Sequence, residues 1–169
     1  MLEAKMQAAR FARTKVLVVD DEPYMRKVIR TLLMSIGVRT IYEAAEARAG
    51  LELIRTMSPD IVIVDWQMPG LNGAGFVKAV RSPETFPYPD IPIIMLTGHA
   101  ERSRVIAAMQ SGVHEFLLKP VSSKALAERL HSVLCYPRKL VRQGDFYGPE
   151  PRSKTNQPVK VSDNVIMLN

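Results

Sequence analysis

Five polar side chains close apolar runs that lie far apart in the chain. Asp20 and Asp21 follow Val16-Leu17-Val18-Val19, Asp65 follows Ile61-Val62-Ile63-Val64, Thr97 ends Ile93-Ile94-Met95-Leu96, and Lys119 ends Phe116-Leu117-Leu118. If these runs are strands of one sheet, the five groups meet on one rim. Three carboxylates gathered there repel until two of them hold a proton or a cation neutralises the cluster. A hard divalent ion suits an all-oxygen set, and Mg²⁺ accepts two or three carboxylates with water in its remaining positions. On the first stretch alone a plainer account stands beside this one. Asp20, Asp21 and Glu22 precede a proline and would equally cap a helix, whose N-terminal dipole favours acids. Asp65 and Lys119 favour a site, because neither is close in sequence to that helix.

The elements that must position these groups are legible in the apolar pattern. Strand-like runs cover 16–20, 38–44, 60–66, 91–97 and 114–119. Three of them lack polar alternation, as strands buried on both faces do. Between them lie helical segments. Met25, Val28, Ile29, Leu32, Leu33 and Ile36 form a stripe of helical period that starts after Pro23 and stops at Gly37. Leu126, Leu130, Val133 and Leu134 do the same near the end, and 46–57, 73–81 and 101–111 carry helix formers between strands. Strand and helix alternating in this way predict a doubly wound α/β domain with a parallel sheet covered on both faces, since right-handed crossovers place helices there. Ligands in such sheets bind outside the carboxyl ends of the strands, where the five groups fall.

The chain has 169 residues, of which 47% are hydrophobic, enough for a core. No apolar run reaches the roughly 18 residues that cross a bilayer, and the first 15 residues lack the apolar segment of a secretory leader, so no membrane insertion and a cytoplasmic location are expected. The single cysteine, Cys135, excludes an internal disulfide and has no companion ligands for a zinc site. The net charge of +6 resides at the two ends: 1–15 and 135–169 carry +3 each, which leaves 13 basic and 13 acidic side chains between them. Basic ends argue for nucleic-acid binding less than a basic groove would, and no recognition helix or interleaved aromatics accompany them.

The pieces VVDDEP, IVIVDWQMPGLNG, PIIMLTGHA and FLLKPV, in this order over residues 14–134, resemble the receiver domain of two-component response regulators. The resemblance implies a flavodoxin-like (βα)5 fold with strand order 2-1-3-4-5. It makes Asp65 the acceptor of a phosphoryl group, forming an aspartyl phosphate, with a sensor histidine kinase or a histidine phosphotransfer protein as donor. Asp20, Asp21 and Asp65, with the backbone carbonyl of Gln67, would hold Mg²⁺. Lys119 would pair with the phosphoryl oxygens and Thr97 would hydrogen-bond to them. Phe116 occupies the aromatic switch position, where an aromatic is also ordinary core, and it replaces the commoner tyrosine. Gln67 and His99 sit where receivers govern hydrolytic attack and so would tune phosphate lifetime, although His99 also reads as a solvated loop residue. The Lys119-Pro120 bond would be cis. The protein would be a switch that assists its own phosphorylation and dephosphorylation, not an enzyme in the ordinary sense.

Residues 1–13 read as a basic N-terminal extension, 14–134 as the receiver, and 135–169 as a basic, proline-containing tail. The tail is too short for an effector domain, so a stand-alone receiver is expected, with output through the 101–134 surface to a downstream protein or a homodimer partner. Pro137, Pro149, Pro151 and Pro158 break any long periodic element in the tail, which therefore reads as loosely attached. His114 and His131 read as structural or solvated. An aspartate-nucleophile phosphatase would need an acid two residues after Asp65, where Gln67 stands. A constitutive binding module and a weak nucleic-acid binder remain the alternatives from other classes.

Overall fold

The apolar runs form five parallel strands: β1 Lys15–Val19, β2 Thr40–Ala44, β3 Ile61–Asp65, β4 Ile93–Thr97 and β5 Glu115–Leu118. The computed structural model describes residues 1–98 and 102–151. The sheet order is β2-β1-β3-β4-β5, as the resemblance implies, so β1 and β3 lie side by side at its centre. Register pairs Val19 with Ala44 and with Val64, and Asp65 with Leu96, which brings the acid-bearing ends level with one another.

Six helices accompany the strands among the described residues: α1 Leu2–Arg13, α2 Pro23–Ser35, α3 Ala47–Met57, α4 Gly73–Val80, α5 Arg102–Gln110 and α6 Ser123–Cys135. Alternate residues of each central strand feed opposite cores. Leu17, Val19, Val62, Val64, Ile93 and Met95 pack with Ile54, Phe76, Val77 and Val80 from α3 and α4. Val16, Val18, Ile61, Ile63, Ile94 and Leu96 pack with Ile29 and Leu33 of α2 and with Leu126, Leu130 and Val133 of α6. Both faces of the sheet are therefore sealed, which explains the strands without polar alternation.

Two regions differ from the expected extensions. Residues 2–13 form helix α1, anchored by Phe11, which is 2% exposed and joins the α2–α6 core. Arg10 donates to the Leu134 carbonyl at the C-terminal end of α6. The segment after α6 is not loose as far as Pro151. Strands β6 Leu140–Gln143 and β7 Phe146–Pro149 pair antiparallel about the two-residue turn Gly144-Asp145. This hairpin docks on the domain: Arg138 donates to the carbonyls of His114 and Glu150, Arg142 meets Glu84 at 2.6 Å, and the Tyr147 hydroxyl donates to Asp90. Gly148 lies directly on Gly112, so close that a Cβ on Gly148 would come within 2.8 Å of the Gly112 Cα. The hairpin covers the amino ends of β4 and β5. The apolar C-terminal run Val165-Ile166-Met167-Leu168 lies outside the described residues.

Candidate functional site

At the opposite end of the sheet the chain turns from β1 into α2 through Asp20, Asp21 and Glu22. Asp20 is 1% exposed, held between Ala44, whose carbonyl accepts its N–H at 3.1 Å, and the Glu22 amide, which donates to its Oδ1 at 2.9 Å. Glu22 is the N-cap of α2 and makes no side-chain capping hydrogen bond. The capping account of the acidic run thus explains one oxygen of Asp20 and leaves the rest. Asp20 Oδ2 is buried with no hydrogen-bond partner, 3.9 Å from Lys119 Nζ.

Asp65 ends β3 and is 6% exposed. Its Oδ1 lies 2.9 Å from Lys119 Nζ, which the start of the β5–α6 connection brings across β4. The Lys119-Pro120 peptide is cis, as the resemblance implies. The Lys119 amide donates to the Thr97 carbonyl at 2.8 Å, tying the ends of β4 and β5 together. After Asp65 the chain loops through Met68 and Pro69 into α4, where Asn72 caps the helix by accepting from the Gly75 amide. Gly73 opens α4 against the acid itself: a Cβ there would stand 2.4 Å from the Asp65 carbonyl oxygen.

Carboxylate oxygens of Asp20, Asp21 and Asp65 all lie within 4.8 Å of one another. Burial pushes the Asp20 carboxyl up to about 6, with the charges of Asp65 and Asp21 adding to it, against the Glu22 amide and Lys119. Asp65 is raised chiefly by burial as well, against the hydrogen bond and charge of Lys119 and an amide hydrogen bond from Gln67. Two buried acids and an exposed third, with one lysine among them, form a cluster short of positive charge. An open cleft of about 800 Å³ leads to it, lined by Asp21, Asp65, Trp66, Gln67, Asn72 and Lys119 among others. The bare Asp20 Oδ2 and the all-oxygen donor set fit a hard divalent cation such as Mg²⁺.

A family model described as the response regulator receiver domain matches residues 16–131. The chain belongs to the response regulator receiver family. Chemotaxis protein CheY-3 of Vibrio cholerae is 32% identical over 128 residues, 76% of this chain and 97% of that protein. CheY1 of Helicobacter pylori is 38% identical over 71% of this chain and 96% of its own length. Among solved structures, the receiver resembles CheY4 of Vibrio cholerae, with TM-score 0.64, 32% identity and 71% and 98% of the two chains covered. It also resembles a putative response regulator from Chloroflexus aurantiacus, with TM-score 0.67, 29% identity and coverages of 72% and 98%. The matched receiver residues stop short of α1 and of the hairpin on either side.

Of the residues singled out from the receiver's sequence, Asp20, Asp21, Asp65, Gln67 and Lys119 converge on the cleft or its floor. Thr97 ends β4 next to them, 4% exposed, and Phe116 points into the α3–α5 core beside Met95, 3% exposed. His99 lies outside the described residues. His131 sits within α6, half-buried, its Nδ1 3.3 Å from Cys135 Sγ. His114 is buried and structural: its Nδ1 faces both the Ile93 amide and Arg81 Nη2. One residue of this neighbourhood escaped the sequence reading. Arg26 in α2 donates from Nη1 to the Asp20 carbonyl at 2.7 Å, and no spacing signal separates it from the other basic residues of that helix.

Proposed function

We propose that this receiver is a phosphorylation-regulated signalling switch in which Asp65 is the acceptor, Mg²⁺ is the cofactor, and a sensor histidine kinase or histidine phosphotransfer protein is the donor. The observation that carries the proposal is Lys119 Nζ at 2.9 Å from Asp65 Oδ1, with Asp20 and Asp21 within 4.8 Å on the cleft. An Asp65 carboxylate oxygen attacks phosphorus, the P–N bond to the donor histidine breaks, and the electron pair returns to the imidazole. Phosphoryl transfer needs in-line placement and neutralisation of the equatorial oxygens more than covalent assistance. Asp20, Asp21 and the Gln67 carbonyl would hold the ion, which supplies charge neutralisation when bound. Lys119 would exchange its contact with Asp65 for one with a phosphoryl oxygen, and Thr97 would donate its hydroxyl to another.

The output follows from the tie between Thr97 and Lys119. Movement of Thr97 toward a phosphoryl oxygen bears on both β4 and β5, and so on the 101–134 face offered to a downstream protein or to a second copy. The modification biases an equilibrium between two arrangements of that face. One observation favours a second reading, a binding module that needs no phosphorylation: Phe116 is already packed inward, in the core beside Met95.

The decisive experiment incubates the chain with Mg²⁺ and acetyl phosphate or phosphoramidate and reads intact mass. Wild type should gain one phosphoryl group and Asp65→Asn none. Absence of any gain in wild type that binds Mg²⁺ would abandon the switch in favour of the constitutive module.

A further inference from the structure

Asp20 presents four polar points, and the fold pins three of them. Its N–H goes to the Ala44 carbonyl, its Oδ1 accepts from Glu22, and its own carbonyl accepts from Arg26 Nη1 at 2.7 Å, which leaves only Oδ2 without a hydrogen bond among the described residues, 3.9 Å from Lys119 Nζ. The Arg26 guanidinium is itself held. Its Nε stands 3.8 Å from Glu43 Oε1, and its side chain is 19% exposed. Glu43 receives a second hold from Arg30 Nη1 at 3.1 Å. Glu43 and Ala44 are consecutive residues of β2, so the edge strand, which places no group of its own in the cleft, reaches Asp20 by two routes.

We propose that Arg26, braced by Glu43, is a positioning residue for the cation site: it fixes the main chain of Asp20 so that Oδ2 is aimed into the carboxylate cluster before any ion arrives. The inference rests on the reading of that cluster as an Mg²⁺ site. The contact explains why an arginine serves here. A guanidinium presents several N–H groups in one plane, so a single side chain meets a carbonyl on one edge and a carboxylate on another, which an ammonium on a flexible stem does not do. Groups that orient a metal ligand without touching the metal commonly govern affinity by about 10-fold or more. Arg26 touches the backbone of Asp20, not its carboxylate, so its effect is one of placement.

Trp66 is the only tryptophan and lines the cleft, which makes its emission a direct readout of Mg²⁺ binding in the full chain without any phosphoryl donor. Relative to wild type, Arg26→Met is expected to weaken Mg²⁺ binding about 10-fold and Glu43→Gln about threefold. Arg30→Met, which removes a contact to Glu43 but none to Asp20, should stay within about twofold of wild type. Arg26→Lys should resemble Arg26→Met. Phosphorylation of Arg26→Met should be slow at low Mg²⁺ and recover at saturating Mg²⁺, a split that a general loss of stability does not produce.

Full affinity in Arg26→Lys would show that the planar guanidinium is not required and overturn the positioning role, as would unchanged affinity in a folded Arg26→Met. If Arg26→Met does not fold, Glu43→Gln decides in its place, and wild-type affinity there overturns the role. Failure of wild type to bind Mg²⁺ removes the reading beneath it and the inference together.

Discussion

The two ends of the sheet treat buried charge in opposite ways. At the carboxyl end, Asp20 and Asp65 are nearly inaccessible, both carboxyls are raised by burial, and one oxygen of Asp20 has no hydrogen-bond partner. At the amino end, Arg81 is just as hidden, and each of its three contacting nitrogens has a partner. Nε donates to the Gly112 carbonyl, Nη1 to the Pro89 carbonyl, and Nη2 faces His114 Nδ1. Because the Ile93 amide also points at that Nδ1, the ring accepts there and carries its proton on Nε2. Burial, followed by the charges of Arg81 and Arg138, drives His114 down to about 3, so it stays neutral. Arg81 is lowered by burial to about 10 and remains charged at neutral pH. A buried arginine whose three nitrogens each meet an acceptor holds a structure together, whereas a cluster left short of positive charge awaits something. The hairpin of β6 and β7 closes the first kind of end, and the cleft leaves the second kind open.

The comparison breaks most visibly at Arg81. Arg81→Met strands the buried Gly112 carbonyl and the partly buried Pro89 carbonyl, leaves His114 Nδ1 with the Ile93 amide alone, and should lower unfolding stability by about 3 kcal/mol in a urea titration. Next comes the sign of the pH dependence, which differs between the ends. The folded pKa of Asp20 exceeds its unfolded value of 3.8, so its contribution is present at low pH and is lost as pH rises through about 6. In chelator at pH 7, Asp20→Asn should therefore be more stable than wild type by about 2 kcal/mol, and if the proposed Mg²⁺ site is correct, added Mg²⁺ should stabilise wild type and not the variant. The folded pKa of His114 lies below its ordinary 6.5, so the unfolded chain takes up the proton first and stability falls as pH drops from 6.5 toward about 3. Measured in the Asp20→Asn background, that loss should amount to about 2 kcal/mol by pH 5, and His114→Gln should flatten it.

Smaller effects sharpen the account of the hairpin. Gly112 has φ +104° and lies under the Tyr147 carbonyl, so Gly112→Ala should cost about 1–2 kcal/mol and expose the hairpin to limited proteolysis. Arg142→Ala removes a half-exposed ion pair with Glu84 and should change the unfolding free energy by less than about 1 kcal/mol.

The sequence announced the acidic end far better than the basic one. Strands buried on both faces need unbroken apolar runs, and polar residues that close such runs stand out, which is how Asp20, Asp65 and Lys119 were legible. The hairpin carried a local sign too, since Gly144-Asp145 between Leu140-Val141 and Phe146-Tyr147 is a two-residue turn of a favoured type. Pro137 and Pro149 masked it, because its docking depends on contacts that no local pattern encodes: a glycine laid on Gly112 and an arginine reaching the His114 carbonyl. Helix α1 hid for a similar reason, as Phe11 is its one buried side chain. Arg26 was invisible because it acts on a backbone carbonyl, and carbonyls leave no mark on a sequence.

Gly73 has a mechanical corollary. Its missing Cβ lets the first turn of α4 rest against the carbonyl of Asp65, and the Gly73 amide donates to the Trp66 carbonyl at 2.9 Å, so the end of β3 and the start of α4 are bolted into one part. Across β4 the Lys119 amide makes the matching fastening to the Thr97 carbonyl at 2.8 Å, so Asp65 stands between two such ties. A methyl group at position 73 would push directly on the backbone of the acid.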